Sequence, residues 1–361
     1  MKSGIQGRLR SLVPKHVRRS ITAKVEEWRL YRPYFAAIRG KSANAASIIR
    51  YVRNSYRPVD GALIMISQVE RSGGSLMAQL FDGHPQILAH PHELKIGYPR
   101  KDVWPRTDLS SAESQFRILY ELDNLTFVEE GYAKSPFDDR SQSLFILPEL
   151  QFKIFKDAFE KCEARKPRDV LNAYFTSYFN AWLNYRGHIE QARAVTAFVP
   201  MMSADKENMD QFWDIYPDGK LISIIRSPLS WYASYARLKG GALPDLAARW
   251  NRSVEAMFRE RERCRERTIF LSFEDLVGNT EQTMRLICSR IGIDFHPSLT
   301  KATFNSEPIA SNSAFGRTSP GQVTDIPIDR SDMLSAEELA YLNTHCMPLY
   351  ARALEQLIEK V

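Results

Sequence analysis

The chain has 361 residues, of which 44% are apolar, so it can bury a large core and is not a disordered or fibrous protein. Its four cysteines are widely scattered without a CxxC pair, which argues against a disulfide framework or a zinc finger and for a reducing compartment. Because there is no run of about 18 apolar residues and no signal-peptide segment at the N-terminus, we expect a soluble cytoplasmic protein.

Positive charge is concentrated at the start of the chain. Residues 1–57 carry fourteen lysines and arginines against two glutamates, a net +12 in a chain whose total is +6. Apolar residues alternate with these cations, which predicts a basic, helical N-terminal extension. It would either touch an anionic membrane surface, bind an acidic polymer, or pack on the domain or on a second subunit of a homodimer. No nucleic-acid partner is expected.

Residues 61–84 predict an anion-binding loop. An apolar, β-leaning run over 62–66 is followed by a turn-like segment over 68–74 and by helical spacing from Ser75 to Phe81. The free backbone N–H groups of a helix N-terminus and its positive dipole end attract anions, and adjacent glycines let the backbone approach one closely. Arg71 in the turn would add a charge-assisted contact. A glycine turn without a ligand is the alternative for this loop taken alone.

The loop does not match the common nucleotide motifs. A Walker A loop needs GxxxxGK[ST], but Gly74 is followed by Ser75 and Leu76 without a lysine. A dinucleotide fingerprint needs GxGxxG, and only the adjacent pair Gly73 and Gly74 is present. Both an ordinary P-loop NTPase and a dinucleotide-binding site are therefore disfavoured.

A second strand and helix repeat the arrangement over residues 216–238. Arg226 follows the apolar run 221–225, Ser227 can cap a helix, and Pro228 suits the first helical position. Ser234 lies eight residues after Arg226, about two helical turns on. A second arginine and a helical serine are thus predicted at the same edge of a sheet, where they can hold another phosphate.

These two units resemble the sulfotransferase family that uses 3′-phosphoadenosine-5′-phosphosulfate (PAPS). The family loop PRSGTT, which binds the 5′-phosphosulfate, corresponds to residues 70–75, and the family's arginine and serine eight apart, which bind the 3′-phosphate, correspond to Arg226 and Ser234. The resemblance implies a P-loop-like three-layer α/β fold with a central parallel sheet flanked by helices, and PAPS released as adenosine 3′,5′-bisphosphate. The cofactor-binding residues that it implies in the first loop are Arg71, Ser72, Gly73, Gly74, Ser75 and Leu76.

Later segments extend the resemblance. Phe273 in the segment 268–276 takes the place of the family aromatic residue beside adenine, where it can pack but cannot hydrogen-bond. Arg317 and Ser319 correspond to a late loop that folds over the cofactor. Two positions depart from the pattern: the proline before the loop arginine is Glu70, whose carboxylate must turn away or be paired, and residues 197–200 supply no lysine.

The acceptor hydroxyl needs a base, and residues 89–97 supply candidates. In the tyrosylprotein branch of the family a glutamate lies 21 residues beyond the loop arginine, and the same count from Arg71 reaches His92, with Glu93 adjacent. A histidine suits the role because its unperturbed pKa of about 6.5 lets it accept a proton near neutrality. Either residue remains a candidate. Metal binding by the neighbouring histidines is disfavoured because HExxH is absent and prolines interrupt the segment.

We divide the chain into the extension 1–57 and a sulfotransferase domain over 58–361, with a helical insertion at about 105–190 and a lid-like loop at about 304–334. Helices are predicted over 110–122, 143–163, 168–186 and 280–291. A capping box at Ser335 and Glu338 precedes a final helix to about residue 358.

The resemblance implies a sulfotransferase that moves a sulfuryl group from PAPS to a hydroxyl of a carbohydrate, glycolipid or other small acceptor, in line and without a metal. Arg71 would stabilise the departing oxygen, and His92 or Glu93 would be the base. The alternatives are a nucleotide-dependent phosphotransferase on the same fold and a noncatalytic binder of acidic ligands.

Overall fold

The structure is a computed structural model that describes residues 55–94, 103–105, 107, 109, 111–120, 144–162, 165–310, 319–323 and 329–357. Nearly all of the predicted N-terminal extension, and Arg317 in the predicted lid, lie outside these residues. The proposed division into extension, domain, insertion and lid therefore stays a prediction. No helix in the described part of the chain combines the length and apolar character needed to cross a bilayer.

Five parallel strands form the central sheet, in the order β2-β3-β1-β4-β5. Four of them are short apolar runs that are almost fully buried, as parallel strands covered on both faces must be. The predicted central parallel sheet is thereby confirmed. The strands are β1 (Ala62–Ile66), β2 (Ile87–Glu93), β3 (Ala194–Phe198), β4 (Lys220–Ile225) and β5 (Thr268–Ser272).

Helices cover both faces of the sheet, which gives the predicted three layers. The described helices are α1 (Gly74–Phe81), α2 (Ala112–Leu119), α3 (Pro148–Glu160), α4 (Pro167–Ala181), α5 (Lys206–Ile215), α6 (Pro228–Lys239), α7 (Leu243–Arg263), α8 (Phe273–Gly278), α9 (Thr280–Ile291), α10 (Ala336–His345) and α11 (Met347–Leu354).

Alternation along β1 divides the core into two layers. Leu63 and Met65 belong to the cluster that packs against α2 to α5. Ile64 and Ile66 belong to the cluster that packs against α1, α8 and α9. Successive strand side chains point to opposite faces, so one short strand anchors both layers and fixes the position of the loop that follows it.

The helices between the two loops agree with the predicted ranges: α2 and α3 lie inside theirs, and α4 begins at Pro167, one residue before the predicted start. Its three described helices are α2, α3 and α4, and α3 packs closely along α4. Prolines occupy the first position of both α3 and α4, where the missing N–H costs no hydrogen bond. Aromatic side chains such as Phe155 and Phe175 are fully buried in this region, whereas Phe145 is 43% exposed.

The C-terminal helices confirm two predictions and correct a third. Gly292 ends α9 in the left-handed conformation, and the capping box of Ser335 and Glu338 opens α10. The predicted single helix to about residue 358 is wrong: it breaks at Cys346 into α10 and α11. Pro348 lies in the first turn of α11, and a proline there cannot donate the hydrogen bond that would continue α10.

The predicted lid-like loop begins with a small hairpin. Strands β6 (Thr303–Phe304) and β7 (Glu307–Pro308) are antiparallel, and the two residues between them have positive φ. The Asp82 carboxylate accepts hydrogen bonds of 2.7 Å from the Thr303 hydroxyl and from the Ser306 backbone N–H. The start of the predicted loop is therefore anchored to the end of α1.

Candidate active site

The β1 loop carries the features of an anion site. Helix α1 begins at Gly74, with Gly73 as its N-cap at φ 100°, and no described side chain caps it. Its first N–H groups are thus available to an anion, at the positive end of the helix dipole. Ser72 is 1% exposed, and its hydroxyl has no hydrogen-bond partner among the described residues. A buried hydroxyl in this state can be completed by a ligand or by an ordered water.

Both loop glycines are required by close packing. A Cβ added at Gly74 would lie less than 3.0 Å from the Phe198 ring and from the Gln68 side-chain amide. A Cβ at Gly73 would lie 2.7 Å from the Phe273 ring, and its φ disfavours any other residue. The loop backbone therefore packs against two aromatic rings, that of Phe273 at Gly73 and that of Phe198 at Gly74.

We expect Gly74→Ala to destabilise the protein by about 1–3 kcal/mol, because the added methyl group overpacks the loop. The matched control is Gly278→Ala, where a Cβ meets nothing within 4 Å and alanine favours the helix. Denaturant unfolding measures both. A Gly74→Ala protein as stable as the Gly278→Ala protein would show that the loop has room to spare.

Arg71 joins the two predicted loops. Its backbone is left-handed, at φ 68°, and its carbonyl accepts a hydrogen bond of 3.1 Å from the Arg226 guanidinium. Its own Nε donates to the Ser234 hydroxyl over 3.3 Å. The arginine and the serine predicted eight residues apart on the second unit therefore both contact the arginine of the first.

Arg226 is buried without enough partners for its charge. Its exposed fraction is 5%, and Nε and one terminal nitrogen have no hydrogen-bond partner among the described residues. Its guanidinium lies 4.4 Å from the centre of the Phe273 ring. Burial, followed by the charge of Arg330, lowers the pKa of Arg226 to about 10, while the nearby Glu274 carboxylate acts in the opposite direction. Such a cation is suited to bind an anionic ligand.

Arg330 is a third member of this cluster, and the sequence analysis missed it. It is 7% exposed, and its charge contributes to lowering the pKa of both Arg71 and Arg226, each of which is lowered first by burial. Its backbone N–H donates to the Ser230 hydroxyl over 3.1 Å, which holds this segment against α6. Three arginines that crowd one another form a site for a ligand with several negative charges.

Glu70 replaces the family proline and brings a negative charge next to the anion loop, but its carboxylate is paired with Arg249. The Arg249 guanidinium binds its carboxylate through both oxygens at 2.7 Å. The indole N–H of Trp231 donates to the Glu70 carbonyl over 2.7 Å. The carboxylate is therefore compensated by Arg249, as the sequence analysis required of it.

The candidate bases lie at the carboxyl end of β2, an edge strand that tolerates Pro91. His92 is 6% exposed, and its Nδ1 lies 2.9 Å from the Glu93 carbonyl oxygen. Because a carbonyl only accepts, Nδ1 carries the proton and Nε2 presents its lone pair. The Tyr178 hydroxyl lies 3.4 Å from that Nε2. This tautomer is the one a general base needs.

The sheet brings His92 and Glu93 to the same carboxyl-terminal end of the strands as the anion loops. In the strand register Glu93 lies opposite Phe198 of β3, and Phe198 lies opposite Ile66 at the end of β1. The carboxyl end of β2 is therefore two strands from the β1 loop. Ligands of open parallel α/β sheets bind at this edge.

The remaining predicted residues are less closely connected. The Leu76 side chain belongs to the core, so only its backbone faces the loop. Ser75 is half-buried in the first turn of α1. Ser319 is exposed, and its carbonyl accepts from the Gln322 N–H. Among the described residues, no group of His, Cys, Asp and Glu is arranged to hold a metal ion.

Comparison with known proteins identifies the family. Residues 64–297 match the model of the sulfotransferase family, which is more than half of the chain. The chain belongs to the sulfotransferase family. A comparison with curated protein sequences gives no match. The family match runs from β1 past α9 and so includes both anion loops, His92 and Phe273, whereas Arg330 lies beyond it.

Solved sulfotransferase structures are similar to this one at low identity. The sulfotransferase domain of the Synechococcus PCC 7002 olefin synthase is 18% identical, with 69% of this chain and 80% of that chain covered and a TM-score of 0.45. The sulfotransferase domain of the curacin biosynthetic pathway is 16% identical, with 83% and 98% covered and a TM-score of 0.45. A sulfotransferase from Alicyclobacillus acidocaldarius is 13% identical, with 84% and 98% covered and a TM-score of 0.40.

Proposed function

We propose that this sulfotransferase uses PAPS as donor and transfers the sulfuryl group to a hydroxyl of a carbohydrate, glycolipid or other small acceptor, with release of adenosine 3′,5′-bisphosphate. The observation that carries the proposal is the cluster of half-buried Arg71 with buried Arg226 and Arg330 beside the open N-terminus of α1. A nucleotide with charged groups at both its 3′ and 5′ positions matches two adjoining cationic sites.

The buried polar atoms suit this donor. The Ser72 hydroxyl and the α1 N–H groups receive the 5′-phosphosulfate, and Arg226 with Ser234 receives the 3′-phosphate. The two nitrogens of Arg226 that lack described partners are donors for phosphate oxygens. Phe273, which lies against both Gly73 and Arg226, is the apolar surface for the adenosine. Arg317 and Ser319 stay candidates for a lid.

The proposed chemistry assigns one role to each group. His92 accepts the acceptor proton at Nε2, while the Glu93 carbonyl holds its Nδ1–H and keeps the ring in place. Arg71 stabilises the negative charge that develops on the departing oxygen, and the loop N–H groups stabilise the transferring group. A loose transition state makes positioning and electrostatic stabilisation the main contributions of the protein.

Calorimetry tests the donor assignment. We expect adenosine 3′,5′-bisphosphate to bind at least ~100-fold more tightly than ATP with Mg²⁺, because only the former presents a 3′-phosphate to Arg226. A preference for ATP would support the phosphotransferase alternative. Salt-sensitive binding of acidic ligands that Arg71→Ala leaves unchanged would support the noncatalytic alternative.

The partners and location of the enzyme remain predictions. A cytoplasmic location, a peripheral membrane contact and a homodimer rest on the sequence of residues 1–57 and on composition. The carbohydrate or glycolipid acceptor follows from the resemblance to the family.

A further inference from the structure

Gln68 is a buried side chain at the anion loop that the sequence analysis did not single out. It is two residues beyond β1 and 1% exposed, and neither its amide nitrogen nor its amide oxygen has a hydrogen-bond partner among the described residues. A buried amide in this state costs stability unless something completes it. Its backbone carbonyl accepts from the Met201 N–H, so its position is well defined.

The side-chain amide of Gln68 lies against the first residue of α1. A Cβ built on Gly74 would lie less than 3.0 Å from the Gln68 Nε2, so the amide is next to the N–H groups that open the helix. The Ser72 hydroxyl, also without a described partner, belongs to the same loop. The loop therefore carries two buried polar groups, Gln68 and Ser72, that lack partners among the described residues.

The neighbours of Gly73 and Gly74 show which strands lie on each side of the loop. Gly73 faces Phe273 and Ile224, which lie toward β4 and β5. Gly74 faces Gln68 and Phe198, which lie toward β3 and, through the strand register, toward the end of β2. Gln68 is therefore on the side of the loop where His92 lies, away from Arg226 and Phe273.

We propose that the Gln68 amide donates a hydrogen bond to an oxygen of the transferring sulfuryl group, on the side that faces the acceptor. This inference rests on the proposed use of PAPS. A sulfuryl group in flight carries less negative charge than a phosphoryl group, so a neutral donor serves without adding another cation to the arginine cluster. Gln68 then touches the group that moves, whereas the 3′-phosphate lies at Arg226.

The test is Gln68→Met, which keeps the length of the side chain and removes both polar atoms. The matched control is Gln151→Met on α3, because Gln151 is also fully buried with both amide atoms unpartnered among the described residues. PAPS hydrolysis, in which water is the acceptor, gives the rate, and calorimetry with adenosine 3′,5′-bisphosphate gives nucleotide affinity.

We expect Gln68→Met to slow PAPS hydrolysis about 100-fold, the effect of removing one preorganised donor. Affinity for adenosine 3′,5′-bisphosphate, which has no sulfuryl group, should change less than about 3-fold. Gln151→Met should leave both unchanged. Gln68→Glu should be slower than Gln68→Met, because a carboxylate repels the sulfuryl oxygens; denaturant unfolding of both variants separates this effect from the cost of burying a charge.

The proposal is overturned if Gln68→Met hydrolyses PAPS at the wild-type rate, or if rate and adenosine 3′,5′-bisphosphate affinity fall together. Failure of the donor assignment gives a different result: wild-type protein would then bind adenosine 3′,5′-bisphosphate no better than ATP. If the wild-type protein prefers adenosine 3′,5′-bisphosphate and Gln68→Met is fully active, only the role of Gln68 is lost.

Discussion

His92→Ala is expected to slow sulfuryl transfer at least ~100-fold while affinity for adenosine 3′,5′-bisphosphate stays nearly unchanged. The reason is the tautomer: the Glu93 carbonyl accepts the Nδ1–H, so in the neutral ring Nε2, 3.4 Å from the Tyr178 hydroxyl, is the nitrogen that can take a proton. Removing the ring removes the base without touching the arginine cluster. The rate is measured as adenosine 3′,5′-bisphosphate formed from PAPS, and affinity by calorimetry.

Glu93→Ala separates the two candidate bases. The Glu93 group that holds His92 is a backbone carbonyl, which alanine also provides, so we expect a loss of less than about 10-fold. A larger loss for Glu93→Ala than for His92→Ala would make the Glu93 carboxylate the base. Full activity of both variants would move the base elsewhere.

Arg226→Met is expected to weaken adenosine 3′,5′-bisphosphate binding by about 100- to 1000-fold, because charged hydrogen bonds to phosphate in a buried site are worth several kcal/mol. Methionine retains an apolar chain to pack on Phe273. The matched control is Arg285→Met, since Arg285 also stacks on a phenylalanine, at 3.8 Å from the Phe295 ring centre, but belongs to α9. The Arg285→Met protein should bind adenosine 3′,5′-bisphosphate as tightly as the wild type does.

The affinity for adenosine 3′,5′-bisphosphate should depend on pH because of the titration of Arg226. Burial lowers the pKa of Arg226 to about 10, so the guanidinium is charged at neutrality and loses its proton as pH rises through about 10. The charged form binds phosphate, and affinity is therefore expected to be level near neutrality and to fall above pH 10 or so. Arg226→Met should lack this fall. An identical alkaline profile in both proteins would show that Arg226 stays charged over this range and would contradict the expected fall.

The convergence of the loops could be predicted from local sequence, and the three layers from the resemblance to the family. Apolar runs of five or six residues, each followed by a turn and a helical pattern, define parallel strands, and the carboxyl ends of parallel strands meet at one edge. Arg71 and Arg226 approach each other for this reason, although 155 positions separate them. Pro228 and Gly292 marked helix ends because each has a specific backbone preference.

Other parts of the site depend on contacts that no local pattern contains. Arg330 reaches the cluster because its backbone binds Ser230, 100 positions away, and nothing around Arg330 in the sequence marks that contact. The amide of Gln68 is defined by its packing beside Gly74. The tautomer of His92 depends on the direction of one backbone carbonyl. The count of 21 residues from Arg71 locates His92, but it does not show which ring nitrogen is placed to accept a proton.

Because β2 is an edge strand, the proposed base lies away from the central strands whose loops carry the arginines of the proposed donor site. Arg71 and Arg226 follow strands β1 and β4, each of which has a neighbour on both sides, so changes at these positions disturb the centre of the sheet. His92 lies at the end of a strand with a single neighbour in the sheet, so substitutions and insertions after β2 disturb one strand pairing only. On the proposed assignment, relatives can diversify the molecules they modify while inheriting one unchanged way of holding the donor.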